Sequence, residues 1–384
     1  MGKRVLVSVI SDLVTDQRVH KVCQTLQENG FDVYLIGAKK RNSLPLSSRI
    51  YHAGRIRMLF QKKFPFYAEF NIRLFFSLIF RQVDIYLGND LDALPATWLA
   101  SRIRGKPIVY DTHEYFLEMA GVEGKPMIRK IWKNIESLIF PKVKYIYTIC
   151  DSFRDLYKDV YHKKLYTVRN VPYLHVKDTG AYPGLLLEID RLIPRNKRLM
   201  IFQGAGINPH RGAEELVQAM SRLDPRIYHL LLVGGGEIFS ELEARIKKEK
   251  LEDRITVIPK VPFEVLRHIT RQAQLGLSLD KPDNFNHRFG LPNKIFDYIH
   301  AGLPILCSRL VEVERIVNTY QVGTFIENHE PGHIASCIEM VFGNEDQMKI
   351  WKANTENAKQ ALNWESESKI VLDIFEQVDS KRVN

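Results

Sequence analysis

Phe289-Gly-Leu-Pro-Asn-Lys-Ile-Phe-Asp-Tyr-Ile-His-Ala-Gly-Leu-Pro304 is the stretch on which the fold turns. It reads as a loop, a helix opening near Pro292–Asn293, and a stop at Gly302 before an apolar strand beginning at Pro304. Proline at a helix start and glycine just past its end is the usual asymmetry. The N-terminus of such a helix carries unpaired N–H groups and partial positive charge, so it draws anions. Lys294 adds a full charge in the first turn, and Asp297 follows one turn on, placed to accept from hydroxyl groups. Taken alone, these two residues also suit the solvent face of an ordinary amphipathic helix.

Outward from this helix, strand-like and helical patterns alternate. The first half carries strands Arg4–Ile10, Asp32–Ile36, Asp84–Leu87, Pro107–Tyr110 and Lys144–Ile149, with a helix over Arg18–Asn29. The second half carries strands Leu199–Gln203, His229–Val233, Ile255–Ile258, Leu275–Leu279, Pro304–Cys307 and Gly323–Ile326, with helices over Ala213–Arg222 and Ile238–Glu249. Repeated strand–helix–strand units predict an α/β fold with two Rossmann-like parallel-sheet domains, 1–172 and 199–365, facing an interdomain cleft. Residues 173–198, with Pro183, Pro194 and the charged run Arg195–Arg198, read as the linker, and a helix over about 366–384 completes the first domain.

Composition narrows the function. The four cysteines (Cys23, Cys150, Cys307, Cys337) are scattered, which argues against a zinc site or disulfide framework and for the cytoplasm. The opening MGKRVLVSVISDL meets Asp12 too early for a signal peptide and reads as a buried strand. No apolar run approaches the roughly 18 residues of a membrane span. A formal charge of +10 suits anionic partners. Nucleic acid is not expected, since no reading module accompanies the charge. A dinucleotide oxidoreductase is excluded by the lack of Gly-x-Gly-x-x-Gly after the first strand.

Three further strand ends gather chemistry. Gln203-Gly204-Ala-Gly206 leads to Arg211-Gly212 at a helix start, where small residues let a phosphate approach the backbone and an arginine holds two of its oxygens. Val233-Gly-Gly235-Gly-Glu237 is a second glycine turn, equally readable as close helix–strand packing. Val109-Tyr-Asp111-Thr-His113-Glu114 ends a buried strand in a polar cluster. After the first strand, Asp16 is placed to cap the helix that begins with Arg18.

The chain resembles the family-4 retaining glycosyltransferases of the GT-B fold (glycosyl transferases group 1). One branch of that family carries Pro-Asn/Ser-Lys-x-x-Glu-Tyr-x-x-x-Gly-x-Pro, matched here by Pro292, Asn293, Lys294, Asp297, Tyr298, Gly302 and Pro304, with Asp for Glu. Many members carry two glutamates eight positions apart. Asp297 aligns with the second, which binds the donor ribose, and Phe289 stands where the first would be. Arg211 matches one of two basic residues that neutralise the donor diphosphate; the other falls near Gly206, so Lys294 is expected to supply that charge. The resemblance implies that His113 contacts the transferred sugar. It also implies that Gly204, Gly206 and Gly235 lie near the nucleotide, and that Arg18, with Asp16, Asp111 and Glu114, faces the acceptor.

The expected function is a metal-independent, retaining transfer of a hexose-type sugar from a UDP- or GDP-sugar to a glycan or lipid-linked acceptor in cell-envelope polysaccharide or glycoconjugate synthesis. No cofactor is expected. A nucleotide-sugar 2-epimerase and a non-catalytic nucleotide-sugar-binding scaffold are the alternatives. Asp90-Leu-Asp92 has the spacing of a metal-diphosphate motif but sits in the half expected to bind acceptor. Finally, residues 55–81 interleave Arg55, Arg57, Lys62, Lys63, Arg73 and Arg81 with eight aromatics, from Phe60 to Phe80. That segment reads either as a peripheral contact with an anionic membrane or as a helix whose rings are buried on the sheet.

Overall fold

The structure is a computed structural model that describes residues 2–119, 122, 124–176 and 180–380. Residues 177–179 of the expected linker and 381–384 of the expected last helix lie outside the described residues. The chain divides into two compact units, Met1–Asn170 with Ser366–Asn384, and Val171–Glu365.

The first unit is built on strands β1 (Arg4–Ser8), β2 (Asp32–Lys39), β3 (His52–Arg57), β4 (Ile85–Asn89), β5 (Ile108–Thr112), β6 (Tyr145–Thr148) and β7 (Tyr166–Thr167). They form one sheet in the order β3-β2-β1-β4-β5-β6-β7, and every pairing is parallel. The second unit uses β8 (Arg198–Gly204), β9 (Tyr228–Gly234), β10 (Ile255–Pro259), β11 (Leu275–Ser278), β12 (Ile305–Ser308) and β13 (Gly323–Ile326). Their order is β10-β9-β8-β11-β12-β13, again all parallel.

Central strands such as Ile85–Asn89 and Ile305–Ser308 are buried at every position because helices cover both faces. In each sheet the strand order reverses once, between β1 and β4 and between β8 and β11. Such switch points open a crevice at the carboxyl ends of the strands. The polar residues singled out above follow these strands.

Two strands escape sequence reading. His52–Arg57 is a polar edge strand that bonds to one neighbour, and Tyr166–Thr167 has two residues. The stretch read as linker carries a helix, Pro183–Leu192, whose Asp190 accepts from His268 and Gln272, so it packs within the second unit. Trp364 opens the last helix and is fully buried, its N–H donating to the Pro172 carbonyl.

Tyr298 shows how the second unit fixes its helix Lys294–Ala301. Its hydroxyl lies 3.0 Å from the Leu277 carbonyl and 3.3 Å from that of Ile201, joining β11 and β8. Gly276 lies against the Tyr298 ring, where an added Cβ would stand 2.4 Å from a ring carbon. The helix is thereby held with its N-terminus at the strand ends.

Candidate functional site

In the second unit, Arg211 precedes the helix Ala213–Met220, and Lys294 opens the helix Lys294–Ala301. Both reach the same carboxylate, Asp280, which follows β11 and is fully buried. Arg211 Nη1 lies 2.9 Å from one Asp280 oxygen, and Lys294 Nζ lies 3.0 Å from the other. Burial pushes the Asp280 acid up, but Lys294 and Arg211 outweigh it and hold the pKa at about 2. Burial pulls the Lys294 ammonium down, against Asp280. Its Nζ also lies 4.6 Å above the Phe202 ring, a cation–π contact. Two cations on one anion leave a net positive charge at two helix starts.

Arg211 keeps donors in reserve. Its side chain is 31% exposed, and its buried Nε has no protein partner among the described residues. The neighbouring turns lock together: Ile207 N–H donates to the Gly235 carbonyl, Ile238 N–H to the Ile207 carbonyl, and Glu237 N–H to Asn208 Oδ1. The glycines differ in what they serve. At Gly236, φ is +148° and a Cβ would stand 2.3 Å from Ile207 N, so the fold itself requires glycine. At Gly206 a Cβ would meet only the Asn208 side chain, 3.6 Å away. Gly204 likewise has room, and at Gly235 a Cβ would press on the flexible Lys260 chain.

Asp297, one turn into the helix, accepts from Gln203 Nε2 at 3.0 Å, and Gln203 Oε1 accepts from the Thr270 hydroxyl at 2.7 Å. These three residues line a cavity with Tyr173, Phe263 and Arg267. Pro292 and Asn293 form the helix start, where the Asn293 carbonyl accepts from Phe296 and Asp297.

The first unit behaves differently. Asp16 caps the first helix, its Oδ1 accepting from Val19 N–H. Arg18, expected to face an acceptor, is buried instead. Its Nε and Nη2 lie 2.9 and 2.7 Å from the two Asp111 oxygens, and Nη1 donates to the Val168 carbonyl. Asp111, also expected on the acceptor side, is fully buried by the same pairing. The two side chains close on each other because neither charge tolerates burial alone. Glu114 is exposed beside them.

His113 is bound through both ring nitrogens. Nε2 is 3.1 Å from Asp111 Oδ2, and Nδ1 is 3.2 Å from Asp90 Oδ2. Asp90 Oδ1 also accepts the His113 N–H. Burial lowers the imidazole pKa, but Asp90 and Asp111 overcome this and raise it to about 9. Asp90 holds this place in a left-handed backbone, φ 58°. Nearby Asp92 is buried at the helix start, and its acid is pushed well up by burial first and by Asp90 second. Among the described residues no group of three or more His, Cys, Asp or Glu is arranged to hold a metal ion.

Asp280, Gln203, Thr270 and the clasping role of Asp90 are not evident from the sequence. The available signal for Asp280 is a carboxylate directly after an apolar strand, the pattern that draws attention to Asp111.

Residues 16–171 match the family Glycosyltransferase Family 4, and residues 197–344 match Glycosyl transferases group 1. Among curated proteins, no sequence matches. Among solved structures, sucrose-phosphate synthase from Thermosynechococcus elongatus is similar with a TM-score of 0.78 and 15% identity, over 99% of this chain and 100% of that one. A glycosyltransferase from Rickettsia africae gives 0.71 and 16%, over 98% of each chain. HepE of Anabaena, solved with UDP-glucose, gives 0.72 and 12%, over 97% of this chain and 99% of that one. The two domain matches and the two parallel-sheet units together place the chain among the group 1, family-4 glycosyltransferases of GT-B fold.

Proposed function

We propose that the protein is a retaining, metal-independent hexosyltransferase that uses a nucleotide-sugar, a UDP- or GDP-sugar, as donor. The observation that carries this reading is the convergence of Arg211 and Lys294 on Asp280 beneath two helix starts. Departure of a sugar from a diphosphate builds negative charge on the leaving group, and fixed donors aimed at that charge lower the barrier. Arg211 offers its unpaired Nε and remaining Nη, and Lys294 offers a second cation. Asp280 holds both toward the same point.

The nucleoside part lies in the cavity beside Asp297. Asp297 accepts from the ribose hydroxyls, and Gln203 and Thr270 hold its carboxylate in place. The backbone at Gly204 and Gly206 allows close approach of phosphate, since the protein's own packing leaves room there. HepE, of the same fold, is described with UDP-glucose. The acceptor is a glycan or a lipid-linked sugar, and cell-envelope polysaccharide or glycoconjugate synthesis is the setting.

The test is calorimetric titration of UDP-glucose and GDP-glucose, with and without chelator, followed by analysis of the product anomer. Binding of either donor that survives chelation and vanishes in Arg211→Ala and Lys294→Ala supports the reading. Unchanged affinity in both variants overturns the site, and an inverted product overturns the stereochemistry.

A further inference from the structure

The first unit carries a helical layer whose outer surface is not built for water. Helices Lys63–Ile79, Asp90–Ile103 and Pro126–Ile139 cover one face of its sheet. Phe66, Phe70, Leu74 and Leu78 of the first helix, Leu91, Leu94 and Ala100 of the second, and Ile139 of the third share one core with Tyr86, Tyr110 and Ile146 of the strands. Tyr67 meets Trp132 edge-on at 5.6 Å, which joins the first helix to the third. The sequence reading of 55–81 therefore splits. Phe66 and Phe70 are core, whereas Phe76 and Phe80 stand 56% and 82% exposed.

The exposed residues repeat at helical spacing. Ile72, Phe76 and Phe80 follow one another at four-residue steps. Leu99 and Ile103 do the same on the second helix, and Met127 and Ile131 on the third. A helix packed on a sheet normally turns polar residues outward. The last helix of the same unit does so: its exposed positions are Glu365, Lys369, Asp373, Glu376 and Gln377.

Charge is sorted as sharply as polarity. The basic residues of the three helices are Lys63, Arg73, Arg102, Arg129, Lys130 and Lys133, and all six are exposed, Arg73 being paired with Glu69 and Arg129 with Glu118. Their carboxylates are Glu69, Asp90, Asp92 and Glu136, and all four are turned inward. The Glu69 side chain is 9% exposed, taking the N–H groups of Leu59 and Phe60. Asp90 holds His113, Asp92 is buried, and Glu136 lies buried against the Tyr161 hydroxyl. The outer surface of this layer is thus apolar and cationic.

We infer that this three-helix layer docks on an anionic lipid bilayer, with the exposed Ile, Phe, Leu and Met side chains entering the interface and Lys63, Arg102, Lys130 and Lys133 meeting lipid phosphates. Apolar side chains interleaved with Lys and Arg on one face are the pattern of interfacial helices. Charge complementarity selects the bilayer over a second copy of the chain, because two such surfaces repel each other. Among the described residues no helix is long and apolar enough to cross a membrane, so the contact lies at the surface. The inference stands on this face alone and holds whatever the donor site binds.

Flotation of the full chain with phosphatidylcholine vesicles, alone or mixed with phosphatidylglycerol, tests it. The expected result is binding to the mixed vesicles that weakens at molar salt, and at least about tenfold weaker binding to the neutral ones. Ile72→Ser/Phe76→Ser/Phe80→Ser and, separately, Lys130→Glu/Lys133→Glu are each expected to lose about tenfold or more in vesicle binding. Their melting temperatures should stay at the wild-type value, since these side chains lie outside the core. Failure of the wild type to float with anionic vesicles overturns the inference. So does wild-type binding by the folded variants, or light scattering that shows a dimer closed over this face.

Discussion

Arg18 and Arg211 each face a fully buried aspartate at the end of a strand, Asp111 and Asp280, yet the two pairs are in opposite conditions. Arg18 is 4% exposed and uses Nε, Nη1 and Nη2 within the protein. Arg211 is 31% exposed and contributes one nitrogen to Asp280. In the first unit, His113 and Asp90 extend the pair into an alternating chain of charges that is complete in itself. In the second, Lys294 adds a second cation to the same carboxylate, and the sum stays positive. The difference teaches that an Arg–Asp pair at a strand end is not by itself a ligand site. The donors left over decide.

Breaking the closed cluster should have the largest effect. Arg18→Met leaves the Asp111 carboxylate buried beside half its partners, and loss of one member of such a pair costs about 3–5 kcal/mol. Urea unfolding should show that loss. A change under about 1 kcal/mol would mean that the cluster is open to water.

Breaking the open cluster should remove activity, with the fold retained. Arg211→Ala and Lys294→Ala should each lower sugar transfer by about 10²–10³-fold, the usual loss for one donor to a developing anion. Circular dichroism should show a native fold in both. If both variants retain full turnover, Asp280 simply neutralises two structural cations.

The two clusters should also fail at opposite ends of the pH scale. The His113 pKa is raised from 6.5 to about 9, so its contribution to stability is whole below 6.5 and is lost as pH rises through about 9. The Asp280 pKa is lowered from 3.8 to about 2, so its contribution is whole above 3.8 and is lost as pH falls through about 2. NMR titration of the His113 ring would resolve the first transition, and Asp90→Asn should move it to lower pH. A ring that titrates at its ordinary value would break the clasp.

The smallest effect concerns the turns. Gly206→Ala should change stability by less than about 0.5 kcal/mol, as surface changes do, while weakening donor binding measurably. Gly236→Ala should fold poorly, because its added Cβ meets backbone at 2.3 Å. Equal stability losses in both variants would remove the reason to assign Gly206 to a ligand.

The sequence by itself determined the elements and their kind. Largely apolar runs placed eleven of the strands, because a strand covered on both faces is mostly apolar. Asp16 was legible as a cap and Lys294–Ala301 as a helix, since capping and stop signals act within four residues. Tertiary structure alone decided which charges meet. Arg18 lies 93 residues from Asp111, and Arg211 lies 69 from Asp280, and both distances close only when strands line up at a switch point. Local pattern carries no record of that register, so Arg18 and Asp111 looked available and Asp280 passed unnoticed. The aromatic segment 55–81 was ambiguous for the same reason. Burial belongs to a face, and only the packed helix separates Phe70, which is core, from Phe76, which is not.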